Sequence, residues 1–156
     1  MAKTRTSPLP RDAQCPLTKA QIYDFYNKVL IPFEIEEVDL SGYKAESPEI
    51  KTLKEKYHFD FGKNEQIKTD EDAAINTFYL KSYHSYSLPA SLWARVRDAF
   101  SHNRIYQNSS QEFVIEDVHN GRLTMYAKVS SIENVVNFID EIRSLKQHNN
   151  NENEKE

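Results

Sequence analysis

The sequence predicts an α+β domain, a small antiparallel or mixed sheet with a C-terminal β-hairpin covered by three to four amphipathic helices, and three observations carry that prediction. Two runs of β-type residues flank Asn120-Gly121, the dipeptide best suited to the left-handed pair of a two-residue hairpin turn. Several segments open on helix-capping residues and continue with apolar positions at helical spacing. Nine Tyr and eight Phe in 156 residues supply enough ring surface for a core, although the mean hydropathy is polar. A wholly disordered chain would not carry so many rings, and the length suits one domain.

Taken in order, residues 1–16 are rich in Pro, Ser and Thr with scattered cations and predict a flexible arm. The domain then spans residues 17–146. Thr18 and Gln21 form a capping box, with Leu17 and Ile22 placed as a hydrophobic staple. Ile22, Phe25, Tyr26 and Val29 follow on one helical face, which should end before Pro32. From Phe33 to Leu40 apolar and acidic residues alternate as in a half-buried strand, with a slip at Glu36-Glu37. Ser47-Pro48 starts a short helix through Ile50, Leu53 and Tyr57, and residues 62–68 read as an exposed loop. Thr69 with three following acids predicts a helical turn, leading into a long strand through Phe78 and on past Tyr83. One helix to about Tyr83 is the competing reading, so residues 75–87 stay open between strand and helix.

Pro89 suits the first turn of a helix through Leu92, Trp93, Val96, Ala99 and Phe100. The hairpin on Asn120-Gly121 should pair Val118 with Leu123, Glu116 with Met125 and Val114 with Ala127. Ser130 and Glu133 form a second capping box, ahead of a broad apolar arc from Ile132 to Leu145. Residues 147–156 hold Asn and Glu with no apolar residue and predict a disordered polar tail.

Charge is unevenly distributed. Residues 20–74 carry seven lysines against thirteen acids and no arginine, whereas Arg95, Arg97, Arg104, Arg122 and Arg143 lie in the second half. Arginine's planar fork recognises carboxylate and phosphate, so an anion-contacting surface is expected in that half. Tyr79, Tyr83, Tyr86 and Trp93 fall near Arg95, Arg97 and Arg104, a mixture used at protein-interface hot spots and on single-stranded nucleic-acid platforms. A strand holding Tyr79 and Tyr83 on one face would set their rings in a row. The competing reading places Trp93 and one tyrosine face in the core.

The chemistry the sequence lacks narrows the choice. Three glycines cannot make a phosphate-wrapping loop, the five histidines have no i, i+4 pair, and no Gly-x-Ser-x-Gly turn is present. No metal and no cofactor are therefore expected. The single Cys15 suits a reducing, cytoplasmic setting, and no apolar run approaches the roughly twenty residues of a membrane span. The leading expectation is a non-enzymatic binding protein (adaptor, inhibitor or regulatory subunit) with a protein partner, contacting it through Tyr79, Tyr83, Tyr86, Trp93, Arg95, Arg97 and Arg104. Nucleic-acid binding through the same region and the basic arm of Lys3, Arg5 and Arg11 is the alternative. A small enzyme using Asp117 and His119, which share a strand face, is the second alternative. Self-association through an exposed sheet edge stays open.

Overall fold

The computed structural model describes residues 15–35, 40 and 42–154. The basic arm up to residue 14 and the acids at 36–39 lie outside the described residues, as do residues 155–156. Helix α1 (Lys19–Phe25) starts on the predicted capping box, with the Gln21 amide donating to the Thr18 hydroxyl and the Thr18 amide to the Gln21 side chain. It does not stop before Pro32. A π-helical turn (Tyr26–Leu30) carries it into α2 (Ile31–Ile35), with the Ile31 amide bonding back to Tyr26. Widening the turn shifts the hydrogen-bond register just ahead of the proline, which has no N–H to contribute and crowds the preceding turn. Phe33 to Ile35 is therefore helical rather than the start of a strand.

Helix α3 (Pro48–Tyr57) begins at the predicted proline and ends on left-handed His58. Strand β1 (Asp60–Gly62) follows, then 3-10 turns at Asn64–Gln66 and Asp70–Asp72, and β2 (Thr77–Leu80). Helix α4 (Leu88–Ser101), β3 (Ile105–Gln107), β4 (Phe113–His119), β5 (Arg122–Val129) and α5 (Ile132–Glu154) complete the chain. The last helix is capped by Ser131, whose hydroxyl accepts from the Asn134 amide, one residue later than the sequence suggests. Its backbone stays helical past Lys146, where no glycine or proline follows to end it.

The sheet is mixed, in the order β1-β2-β5-β4-β3, with β1 parallel to β2 and the other neighbours antiparallel. Its edges, β1 and β3, are three residues each, too short to have shown a period in the sequence. Gly62 sits opposite Tyr79, and a β-carbon there would come within 2.6 Å of that ring. The hairpin turns where predicted, with Asn120 and Gly121 both left-handed at φ 52° and 76°. Its register differs from the prediction beyond Val118. Thr124 is an extra residue on β5, so Asp117 faces Met125, Glu116 faces Tyr126 and Val114 faces Lys128.

That bulge sorts the side chains onto two faces. Phe78, Leu80, Ile115, Met125, Ala127 and Val129 face the helices and join the main core around Trp93, Phe138 and Ile139. Tyr79, Val114, Leu123 and Tyr126 point the other way, where Ile67 and Ala73 cover them. The loop at 62–68 is exposed at Lys63, Glu65, Gln66 and Lys68 as expected, but it buries Asn64 and Ile67, and Ile67 joins this second, smaller core. It is tied down by polar bonds: Asn64 donates to the Leu123 carbonyl at 3.0 Å, and the Tyr126 hydroxyl to Asp70 at 2.9 Å. Buried Glu116 accepts from the Tyr106 hydroxyl at 2.7 Å, and burial, then this carboxylate, push the Tyr106 phenol well above its usual range.

Candidate functional site

β2 ends at Leu80, four residues in, because beyond it the chain turns toward α4 rather than continuing along β5. The Lys81 amide still reaches the Thr124 carbonyl at 2.9 Å, after which left-handed His84 and a Tyr86-to-Tyr83 backbone bond close a turn. Buried Ser91 anchors this loop, accepting from the Tyr83 amide at 2.9 Å. One helical turn on, Arg95 holds it harder. Its Nε donates to the Lys81 carbonyl at 3.2 Å, Nη2 to the Ser82 carbonyl at 3.1 Å, and Nη1 to Asp117 at 3.1 Å. The guanidinium also lies over the Tyr83 ring, 5.0 Å from its centre.

Asp117 is equally engaged, accepting from the Thr124 hydroxyl at 2.9 Å. The side chains of Arg95 and Asp117 are 9% and 4% exposed, which makes this a buried ion pair in which each guanidinium nitrogen donates one hydrogen bond. Above it opens a cleft of about 410 Å³. The loop contributes Lys81, Ser82, Tyr83 and His84 to its walls; α4 contributes Asp98 and His102 beside Arg95; the hairpin tip contributes His119. Ser91, Arg95, Asp98 and His102 follow one another at three- and four-residue spacing, a polar line down one face of a largely buried helix.

Burial holds the Asp98 carboxyl above the usual carboxylate range; Arg97 pulls it back most strongly, and Asp117 adds to the rise. Among the described residues, no three of His, Cys, Asp and Glu are gathered closely enough to hold a metal ion. Among the described residues the side chains of Lys81, His102 and His119 make no hydrogen bond or ion pair, although His102 faces Asp98 electrostatically.

The seven residues singled out in the sequence separate into different environments. Tyr83 and Arg95 come together at the cleft, and Tyr86 stacks on Tyr83 with ring centres 5.6 Å apart while packing against the main core. Trp93 is fully buried, donating to the Val29 carbonyl at 3.0 Å and packed edge-on against Phe33. Tyr79 belongs to the smaller core, its hydroxyl accepting from the Ala74 amide. The expected row of Tyr79 and Tyr83 rings on one strand therefore does not form, because β2 ends between them. Arg97 covers Phe33 and pairs with Glu34 at 2.8 Å and Asp98 at 3.0 Å. Arg104 is half-buried at the entry to β3 and stands apart from the cleft.

Asp117 and His119 do share a face of β4, with Arg122 opposite His119, but Asp117 is buried and already bonded while His119 is exposed. Sequence reasoning missed Lys81, His84 and His102 as partners of His119. The polar line on α4 was the available signal for His102. Nothing local connects it to residues 81–84 or 119. Compared with protein families, with curated proteins and with solved structures, the chain matches none. Among the described residues no helix is long and apolar enough to cross a membrane.

Proposed function

We propose that this is a non-enzymatic binding protein whose contact surface for a protein partner is the cleft bounded by residues 81–84, α4 and the hairpin tip. The observation that carries the reading is convergence. Lys81, His84, His102 and His119 reach one open cleft from three separated segments, over a floor immobilised by Arg95 and Asp117. A rigid base under unengaged polar side chains is the arrangement of a preorganised recognition site. The stacked Tyr83 and Tyr86 add a semi-rigid aromatic edge of the kind that anchors protein interfaces. The nucleic-acid reading loses its stacking platform, since the Tyr83 ring already carries Arg95 and Tyr86. The lone cysteine, exposed Cys15, suits a cytoplasmic setting for this activity.

The test is a double substitution, Lys81→Glu with His119→Glu, followed by crosslinking capture from a lysate and identification of the captured proteins. Both side chains are exposed, so the circular dichroism spectrum should be unchanged while the captured set is depleted. The same proteins captured in the same amounts by a folded variant would overturn the reading.

A further inference from the structure

Building on the binding surface just described, we infer that the cleft takes a tetrahedral oxyanion, a phosphate group, with Lys81, His84, His102 and His119 as its donors. The first argument is spacing. A metal ion needs its donors within about 2.0–2.3 Å of one point, and the histidines and acids here are not gathered so closely. The same groups disposed around a space of about 410 Å³ suit a ligand whose own oxygens reach out to them.

The second argument is direction. The donors approach from a loop, a helix and a hairpin tip rather than from one side. A tetrahedral group presents oxygens all round, whereas a planar carboxylate is best met along one edge.

The third argument is charge. Arg95 lies at the floor, but Asp117 offsets it. Asp98 is the acid in the cleft wall, and Arg97 stands 3.0 Å from it. Tyr83 is the other titratable neighbour, uncharged at neutral pH and already under Arg95. Lys81, His84 and His119 are thus the cleft groups with no acid beside them; His102 faces Asp98, which shares Arg97 with Glu34. Imidazole is the side chain whose charge changes in the physiological pH range, and its cationic form donates from both nitrogens. Asp98, held above the ordinary carboxylate range by burial, loses its charge earlier than a free aspartate as pH falls. That loss takes a negative charge out of the cleft wall.

The experiment titrates the full chain with sodium phosphate at pH 6, following the histidine ring signals by NMR. A phosphoserine peptide, its unphosphorylated counterpart and sodium acetate are run in parallel. Signals of His84, His102 and His119 should move along one saturating curve while His58, at the end of α3, stays still. The phosphopeptide should follow phosphate, and its unphosphorylated form should do nothing. Affinity should fall at least tenfold in a Lys81→Gln/His119→Gln variant whose other signals are unchanged. Linear movement of all histidines together, saturation by acetate at the same concentration, or an unaltered curve in the variant would each overturn the assignment. Lost partner capture in the glutamate variant without phosphate saturation would retire the anion and leave the protein-binding surface standing. Phosphate saturation with unchanged capture would do the reverse.

Discussion

The floor and the rim of the cleft use similar polar residues in opposite ways. On the floor, Arg95 gives hydrogen bonds to two carbonyls and Asp117, and Thr124 closes the arrangement by donating to the Asp117 carboxylate. These groups are buried and bonded to one another, and they hold the carbonyls of Lys81 and Ser82. On the rim, Lys81, His84 and His119 are exposed, and their backbones are placed by the floor while their side-chain heads stay available. The difference teaches that polar density alone does not mark a binding residue. The buried groups are spent on one another, and the exposed ones are not.

The comparison can be broken in order of expected effect. Arg95→Ala leaves the Asp117 charge buried without its partner, a loss of about 3–5 kcal/mol of stability that urea unfolding would register; a loss below about 1 kcal/mol would mean that the floor does not hold the loop. Thr124→Val removes the hydroxyl at the bulge and one bond to Asp117, for a loss of about 1 kcal/mol by the same measurement.

Asp98→Asn tests the boundary between the regions. In the wild-type protein the raised carboxyl contributes stability that is fully present below the unfolded value, about pH 3.9, and is lost as pH rises through the folded one. Removing the ionisable group should flatten the decline of stability above pH 4, as read from thermal unfolding across that range. Substitutions on the rim come last. Lys81→Gln and His119→Gln should each change stability by no more than about 0.5 kcal/mol.

Much of the fold was legible because its signals are local. The capping box at Thr18, Pro48 at the start of α3, and the Asn120-Gly121 turn each depend on neighbours within a few residues. The Thr124 bulge was not legible, since the Thr124 hydroxyl reaches Asp117 only once the two strands are already paired. Phe33 misled for a related reason: three alternating residues fit the end of a helix as well as a strand, and the π turn let the helix pass Pro32. Strands of three residues, β1 and β3, have no period to read.

The site was legible in one part. Arg95 and Tyr83 were singled out from composition and do meet, at 5.0 Å. Trp93 and Tyr79 carried the same composition signal into the two cores, because ring chemistry does not say which face of an element is covered. The approach of His119 to Lys81 and His102 depends on α4 packing against β4, the strand that ends at His119, which is a property of the whole fold.

The central claim, that the rim recognises and the floor supports, is tested most directly by measuring two quantities on the Lys81→Gln/His119→Gln variant: urea-unfolding stability and the phosphate titration of the histidine signals at pH 6. The account predicts stability within about 1 kcal/mol of wild type together with an affinity at least tenfold weaker. An unchanged titration, or a stability loss as large as that of Arg95→Ala, would contradict it.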